Sequence, residues 1–501
     1  MDDFSWLVDH LPKEIPDKFS RIPGFAEVKD RLHHAPETLV EARYCELPPD
    51  NDLYYKEGTI PALPEMISDV HGRLEKIFMT YPYTGKDFFK YQDFFKSFIA
   101  ALPKYTEVYL LGNFTKKERN LAKNEDKNNR LIKIKRVMQK ELDKLLDSLK
   151  SILPDRFILI EPQNLHGYSI WAQDPFIPVW DRGRADKTIH FIEPIQFKES
   201  KNGDGEGLIN ADSKIADHIA ALECFEELST SHSRVCLFFH GGNVLSGDDF
   251  ILVGQDDVLK TREFFRKYFP EQGLHLEKHS QLIEAKKNGV EKAFKYIFGQ
   301  DKEVISVGCK NKTKVNAPKG FRHKLYGPGH FQPFFHIDLF VTPVGYLFEE
   351  DLYTIVLAEP FNAAPYDAPD VDKYIIRPLQ EWLWEIKMDL EKKEVKGKRK
   401  FIVRTMPLPM FPVKTRNSTS WIPISYNNCL LEVLKDNEKK VWVPQYSDHP
   451  KARHLKPYDE LALDQWRVYG FKPIPVSGCF PFILRGGSLR CITKCLHRSD
   501  D

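Results

Sequence analysis

The chain of 501 residues lacks a charge excess of either sign, because 73 lysines and arginines are balanced by 72 aspartates and glutamates. A protein without such an excess has no overall field that would attract nucleic acid or an anionic membrane. The sequence has no apolar run near the ~20 residues that cross a bilayer, and its acidic start has no signal-peptide core. We therefore expect a soluble protein whose partners include neither nucleic acid nor membrane.

The eight cysteines are scattered and include no CxxC pair. Disulfide frameworks belong to oxidising compartments, whereas scattered single thiols are typical of a reducing one. The cysteine pattern therefore predicts free thiols and a cytoplasmic location.

Several common catalytic motifs are also absent. The sequence contains no GxxxxGK[ST] phosphate loop, no GxGxxG dinucleotide turn, no GxSxG elbow and no HExxH zinc motif. We therefore expect no organic cofactor. A metal site stays open as an alternative, because His330, His336 and Asp338 are close together in the sequence and such sets can bind zinc.

The sequence does contain enough apolar residues for a large core, with 42% hydrophobic and 13% aromatic residues, which excludes global disorder. From Tyr105 onward, short apolar segments alternate with turns and helical patterns, which predicts an α/β body. Residues 1–75 are predicted to form an N-terminal extension and residues 76–501 a catalytic domain. The predicted strands are Glu107–Leu111, Arg156–Ile160, Val235–Phe239, Phe250–Val253, Ile337–Thr342, Thr354–Ala358, Phe401–Arg404, Cys429–Val433, Val441–Pro444 and Phe482–Leu484.

The clearest helix is predicted at Lys116–Ile152. Apolar residues recur there at spacings of three and four, which gives one apolar stripe. The stripe consists of Leu131, Ile134, Met138, Leu142, Leu145, Leu149 and Ile152. Lysine and glutamate on the other faces are typical of a solvated surface. We interpret the segment as a helical insert packed on a sheet, with a coiled-coil contact or a basic docking surface as the alternative.

Four segments place polar residues next to glycine or proline at the ends of apolar segments, where rigid scaffolds often hold reactive groups. In chain order they are Trp171–Pro175 (WAQDP), His240–Val244 (HGGNV), His336–Asp338 (HID) and Gly486–Thr493 (GGSLRCIT). Each motif alone has little weight. The four in this order form a fairly specific set.

The set resembles the pentein superfamily, the guanidine-modifying enzymes that include arginine, agmatine and peptidyl-arginine deiminases. A further match, SYNN at Ser425–Asn428 followed by VPQY at Val443–Tyr446, is similar to the strand pair that precedes the nucleophile in agmatine deiminases. The resemblance covers about residues 79–498. It implies an α/β propeller of about five ββαβ units with pseudo-fivefold symmetry and a central active site.

Carried over by position, the resemblance implies that Cys491 is the nucleophile and His336 the acid/base catalyst. Asp174 and Asp338 would be the carboxylates that bind the guanidinium. The further substrate-binding residues that we predict are Trp171, His240 and Asn428.

These residue types suit the chemistry of a guanidinium, which is planar, cationic and resonance-stabilised, so that its carbon resists attack. Two carboxylates can hold its N–H groups through charge-assisted hydrogen bonds. A thiolate is a far better nucleophile than a hydroxyl, and a nearby cation lowers the pKa of a thiol. We expect a covalent thiouronium intermediate, with His336 first protonating the leaving nitrogen and then activating water.

Three positions depart from the family's patterns. Small-substrate deiminases usually have Arg where this chain has Gln173, and Glu where it has His240. Both departures resemble the animal peptidyl-arginine deiminases. Those enzymes are calcium-activated, and they have an acidic residue at the position that Ile177 occupies in this chain. Calcium dependence therefore does not carry over with the resemblance, although calcium is not excluded. We expect a neutral His240 to accept a hydrogen bond from a protonated His336.

The predicted function is therefore cysteine-dependent hydrolysis of a guanidine, with arginine in a peptide or protein as the preferred substrate. A small-molecule guanidine deiminase and an amidinotransferase stay open, since an amidinotransferase would form the same covalent intermediate. Two alternatives belong to other classes, a metal-dependent hydrolase and a non-catalytic pentein-fold binding protein. The intact set of four catalytic residue types argues against the last.

Overall fold

The structure, a computed structural model, describes a short strand at residues 53–54 and most of residues 61–499. Within the latter span it does not describe residues 62, 82–90, 113–142, 154–155, 161–168, 184–188, 195, 198–211, 213–214, 221–230, 236, 269–288, 312, 314–321, 324–330, 348–351, 365–368, 397–398, 415–418 and 436–437.

The described residues form five sheets of three to six strands and one two-stranded ribbon. In chain order the strands are β1 Leu53–Tyr54, β2 Pro64–Met66, β3 Arg73–Thr80, β4 Glu107–Leu111, β5 Phe157–Ile160, β6 Ile177–Asp181, β7 Ile189–Glu193, β8 Gln196–Phe197, β9 Ser231–Arg234, β10 Val244–Ser246, β11 Phe250–Gly254, β12 Glu303–Val307, β13 Arg322–His323, β14 Val341–Leu347, β15 Leu352–Asn362, β16 Glu394–Val395, β17 Arg399–Lys414, β18 Thr419–Pro423, β19 Leu430–Val433, β20 Lys439–Pro444, β21 Lys472–Val476 and β22 Thr493–Ser499.

Helices lie between many of these strands. They are α1 Gln92–Ala101, α2 at residues 143–152, α3 Ile215–Ala220, α4 Gln255–Tyr268, α5 Val290–Phe298, α6 Pro369–Val371, α7 Arg377–Leu390, α8 Lys456–Val468 and α9 Phe480–Ile483. A π-helical turn at Asp372–Ile376 joins α6 to α7. Short 3-10 turns occur at Gly241–Asn243, Ile337–Leu339 and Arg453–Leu455.

Each of the five sheets contains the same unit, in which two antiparallel strands are followed by a helical segment and a third strand that returns parallel to the second. The units are β22–β3–β4, β6–β7–β9, β10–β11–β12, β14–β15–β17 and β19–β20–β21. A parallel pair needs such a crossover because a tight turn cannot join its strands. The α/β fold predicted from the sequence is thus confirmed, and its repeated element is a ββαβ unit.

The first unit is completed from both ends of the chain. The C-terminal strand β22 pairs with β3 in antiparallel orientation, and β3 pairs with β4. Strand β2 pairs with β6 of the second unit. Residues 64–75, which fall within the predicted N-terminal extension, therefore contribute strands to the body.

The helices pack on the sheets through apolar faces. In α1, Phe94, Phe95, Phe98 and Ile99 are completely buried, and their spacing of three and four places them on one side of the helix. Burying a side chain of this size stabilises the fold by about 1.5–3 kcal/mol. In α2, Leu145 and Leu149 of the predicted stripe are buried, whereas residues 116–142 of the predicted helix lie outside the described residues.

Three predicted strands are wrong. The described residues of Val235–Phe239, all but residue 236, join no sheet. The Phe238 N–H donates instead to Thr261 Oγ1 of helix α4 at 3.0 Å. Ile337–Thr342 begins with the 3-10 turn before the strand starts at Val341. Phe482–Leu484 overlaps the short helix α9, since a short buried apolar run does not distinguish a helix from a strand.

Within the residues that the structure describes, no helix is both long and apolar enough to cross a membrane.

Candidate active site

The predicted site residues occupy equivalent places in the five units, because each precedes the first strand of its unit. Asp174 precedes β6, His240–Asn243 precede β10, His336–Asp338 precede β14, Asn428 precedes β19, and Cys491 precedes β22. Hydrogen bonds join these five segments to one another. The repeat thus brings residues from distant parts of the sequence into one cluster.

Cys491 lies at the centre of that cluster and is buried. Asn428 holds it from two sides, since its Nδ2 donates to Cys491 Sγ at 3.1 Å and its Oδ1 accepts from the Cys491 N–H at 3.1 Å. The sulfur lies 3.6 Å from Asp338 Oδ2. The backbone N–H of Gln173 donates to the Cys491 carbonyl at 3.1 Å, which joins the segment of Asp174 to that of Cys491.

Asp338 is completely buried and forms an ion pair with Arg490, whose Nη1 lies 3.0 Å from Asp338 Oδ2. The same guanidinium also bonds Asp69, with Nη2 2.9 Å from Oδ1. Burial raises the pKa of Asp338, and Arg490 opposes this rise. Asp338 Oδ2 thus faces both Arg490 and the sulfur, while Oδ1 lies 3.9 Å from the sulfur.

The imidazole of His336 is buried against Gly242, where a Cβ would come within 2.5 Å of the His336 Nδ1 atom. This contact explains the second glycine of the GGN motif, because any side chain there would displace the ring. His336 Nδ1 lies 3.5 Å from Asp174 Oδ1, and the same oxygen accepts from the Gly242 N–H at 3.3 Å. His336 Nε2 is buried and has no hydrogen-bond partner among the described residues.

Asn243, the third residue of the GGN motif, fixes the backbone that carries His336 and Asp338. Its Oδ1 accepts from the Ile337 N–H at 3.0 Å and from Gln332 Nε2 at 2.9 Å. The Asn243 Nδ2 donates to Asp257 at 2.9 Å. His336 and Asp338 therefore converge on the site through a 3-10 turn that these hydrogen bonds hold, and not through the predicted strand Ile337–Thr342.

His240 does not form the predicted hydrogen bond with His336. The two rings are 5.2 Å apart between centroids and inclined by 37°, while His240 Nδ1 lies 3.6 Å from Asp257 Oδ1. Burial opposes ionisation of Asp257, but His240, Lys260 and Asn243 together lower its pKa. The carboxylate that contacts the His336 ring is therefore that of Asp174, whereas Asp257 contacts His240.

Trp171 is partly buried and packs on the segment that carries the nucleophile. A Cβ at Gly487 would come within 2.4 Å of the Trp171 ring and 3.0 Å of Cys491 Cβ. The indole thus lies beside Cys491, and its contact with a substrate stays a prediction. The Trp171 N–H donates to Ser169 Oγ at 3.1 Å, and the Ser169 N–H donates to Asp212 at 2.6 Å.

The pKa shifts define the resting protonation of the site. Burial, followed by the charges of Asp338 and Asp174, raises the pKa of Cys491 well above its usual value. Burial, followed by His240, lowers the pKa of His336 well below its usual value. These shifts favour a neutral thiol and a neutral imidazole at pH 7, contrary to the expectation of a protonated His336.

Four residues of the site were not predicted as functional. Arg490 lies inside the GGSLRCIT motif, but the pattern of this motif indicates no role for its side chain. Asp69, Asp257 and Lys494 lie outside the motifs, and no local pattern marks them. Their roles depend on contacts across the fold, such as the bond between Asp69 and Arg490, which are 421 positions apart.

The residues of the alternative metal site lie only partly within the described part of the chain. Among the residues that the structure describes, no group of three or more His, Cys, Asp and Glu side chains is placed to hold a metal ion. His330 lies outside the described residues, and Asp338 is engaged by Arg490.

Comparison with known proteins gives a match in fold alone. No family model matches the chain, and no curated protein is significantly similar in sequence. Among solved structures, the chain is similar to a candidate peptidyl-arginine deiminase, with 16% identity, a TM-score of 0.50 and coverage of 87% of this chain and 100% of that chain. It is also similar to a candidate agmatine deiminase, with 14% identity, a TM-score of 0.50 and coverage of 88% and 98%.

Both structures carry the names of deiminases, and the chain shares their fold. The α/β fold that the motifs imply therefore agrees with these structures. The catalytic roles of individual residues stay predictions.

Proposed function

We propose that the protein is a cysteine-dependent guanidine hydrolase that deiminates arginine, with arginine in a peptide as its preferred substrate. The observation that carries this proposal is the cluster formed by Cys491, His336, Asp174 and Asp338 at equivalent places of the repeated units. We also propose that the five units surround a pseudo-fivefold axis, with this cluster at its centre.

The two carboxylates supply the binding energy for a cation. Asp338 lies beside the sulfur and Asp174 beside the imidazole, so a planar guanidinium between them would face Cys491 and His336 together. Its N–H groups would donate charge-assisted hydrogen bonds to both carboxylates. The incoming positive charge also offsets the two anions that raise the pKa of Cys491, so substrate binding itself favours the thiolate.

The neutral thiol and imidazole hold the proton that the reaction needs. Cys491 transfers its proton to His336, and the thiolate forms a bond to the guanidinium carbon. The C–N bond then breaks as protonated His336 gives its proton to the leaving nitrogen, which departs as ammonia. His336 takes a proton from water, the hydroxide adds to the thiouronium carbon, and the C–S bond breaks to release the ureido product and return the proton to the sulfur.

A peptide substrate is favoured by Gln173 and by the absence of Glu at position 240, two features that resemble peptidyl-arginine deiminases. One of the two structures similar in fold carries that name as a candidate. No cofactor takes part in the proposed steps, so activity should persist after treatment with a chelator. Loss of activity on chelation, restored by calcium, would add calcium to the proposal. The cytoplasmic location stays a prediction.

The direct test is an assay of arginine peptides, free arginine and agmatine for ureido product and ammonia. We expect turnover of at least one guanidine, highest with the peptide. Product that appears only when a primary amine is supplied, without ammonia, would identify an amidinotransferase. A lack of product with every guanidine and acceptor would reject the proposed function.

The activity should fall as the pH drops below about 6. Burial raises the pKa of Asp174 to about 6, and only the ionised form can hold a cation. The specificity constant kcat/KM should therefore decrease by roughly tenfold per pH unit below this pKa. Asp174→Asn should show no such acid limb. A variant of Asp212, whose pKa burial raises to about 7, is the control: Asp212→Asn should keep the limb near pH 6.

Cys491 should be labelled selectively by a cationic reagent. 2-Chloroacetamidine carries an amidinium that the two carboxylates can bind, whereas neutral iodoacetamide does not. We expect the amidine to react with wild-type protein at Cys491 at least about tenfold faster than iodoacetamide at pH 7, relative to their reaction with a free thiol. Mass spectrometry locates the label. Its appearance mainly on another cysteine would contradict the assigned nucleophile.

A further inference from the structure

Lys494 is a buried cation directly behind the loop that carries Asp174. It lies in β22, is 2% exposed, and donates from Nζ to the backbone carbonyls of Gln173 and Phe176. These two carbonyls lie on either side of Asp174 and Pro175. A Cβ on Gly241 would come within 2.7 Å of the Lys494 Nζ atom, so the first glycine of the GGN motif packs on the same ammonium.

The position of this charge is costly. Burying an ammonium costs several kcal/mol unless it is paired, and its two hydrogen-bond partners here are neutral carbonyls. Burial and Arg490 oppose the ammonium, whereas Asp174, Asp69 and Cys495 favour it. Lys494 in turn favours the ionised form of Asp174. What can offset the free-energy cost of burying this ammonium is therefore its effect on the segment that carries Asp174.

We propose that Lys494 is a positioning residue that fixes the Gln173–Phe176 turn and keeps Asp174 ionised for binding a guanidinium. The proposal rests on the proposed function, because it assigns a role in the same site. The geometry has two parts that can be separated. The two hydrogen bonds hold the turn, and the positive charge acts on the carboxylate.

The two charges should coexist over a narrow pH interval. Burial, followed by Arg490, lowers the pKa of Lys494 to about 7, and burial raises the pKa of Asp174 to about 6. Below this interval Asp174 takes up a proton, and above it Lys494 loses one. Binding of a cation by Asp174 should therefore weaken below about pH 6, whereas above pH 7 the carboxylate stays ionised and only the charge of Lys494 is lost.

The test compares Lys494→Gln with Lys494→Met in the full chain. Gln keeps one donor for a carbonyl without the charge, while Met removes both. The matched control is Lys302→Met, because Lys302 is also buried and donates to Ser246 Oγ and to the Gly247 carbonyl at 2.8 Å each. The readout is the ratio of the Cys491 labelling rate with 2-chloroacetamidine to that with iodoacetamide, measured from pH 5 to 9 together with thermal unfolding.

We expect both Lys494 variants to move the acid limb of the ratio up by about one pH unit, since removing a nearby cation raises the pKa of Asp174. At pH 7 this shift lowers the ratio by about twofold in Lys494→Gln, and Lys494→Met should lower it further because the turn also loses its donor. Lys302→Met should lose stability but keep the wild-type ratio and limb. A folded Lys494→Gln protein that keeps the wild-type labelling ratio and the wild-type acid limb would overturn the proposal. Lys494 would then have a structural role only. A wild-type ratio no higher than that of a free thiol would instead reject the guanidine-binding function itself.

Discussion

Cys491→Ser is expected to lower turnover of any guanidine substrate by at least about a thousandfold while the fold is kept. A serine hydroxyl is barely ionised at neutral pH, whereas the thiol of Cys491 can ionise when a cation offsets Asp338 and Asp174. The smaller oxygen can still accept the hydrogen bond that Asn428 Nδ2 gives the sulfur. The variant should therefore unfold within a few degrees of the wild type and still bind substrate.

The control for this experiment is Cys495→Ser. Cys495 is in β22, is only partly buried, and bonds the His497 carbonyl rather than any residue of the cluster. Its replacement should leave turnover close to that of the wild type. A Cys491→Ser protein that still releases ammonia, or a Cys495→Ser protein that does not, would show that the nucleophile has been misassigned.

The composition of the site could be predicted because each motif consists of polar residues beside glycine or proline, at the end of an apolar segment. The structure explains this pattern, since Asp174, His240, Asn428 and Cys491 all stand just before the first strand of a unit. A chain that enters a sheet at this place must turn sharply, which favours glycine and proline. The predicted residues are therefore found together, although their roles await experiment.

The geometry at His336 and Asp338 could not be predicted from the same pattern. Alternation along a strand would direct both side chains to one face, but the segment forms a 3-10 turn that Asn243 holds through the Ile337 N–H. That contact joins residues 94 positions apart. The expected His240–His336 hydrogen bond failed for a similar reason, because Asp257, which attracts His240, belongs to helix α4 and carries no local signal.

The unit formed by β22, β3 and β4 shows a further limit. Its strands were recognisable only in part, since Glu107–Leu111 was predicted and β22 was not. A pairing between the C-terminal strand and a strand near residue 75 cannot be read from local periodicity. The consequence for function is direct: this pairing places Cys491, two residues before β22, against the other four segments.

Asp174→Asn and Asp338→Asn should both damage catalysis but have opposite effects on stability. Each removes one partner of a desolvated guanidinium, so kcat/KM should fall by an amount equivalent to about 2–5 kcal/mol in either variant. The difference lies in their neighbours. Asp338 is ion-paired with Arg490 at 3.0 Å. Among the described residues, Asp174 forms no ion pair with a lysine or arginine, and its contact is with the imidazole of His336, which is neutral.

Burial raises the pKa of Asp338 as well, so Asp338→Asn also removes the cost of a buried anion. The larger effect is on the buried Arg490, which keeps Asp69 as its remaining carboxylate, and loss of the pair should lower the free energy of unfolding by about 3 kcal/mol. Asp174 behaves in the opposite way. Its pKa is raised by burial to about 6, so its stability contribution is fully present only at low pH and is lost as the pH rises through 6. Asn removes this cost, and Asp174→Asn should be at least as stable as the wild type at pH 8.

Urea unfolding at pH 5 and 8 measures the effect on stability, and kcat/KM for the best substrate measures the effect on catalysis. Equal stability of the two variants would contradict the Arg490 argument, and unchanged kcat/KM in both would contradict guanidinium binding by the carboxylates.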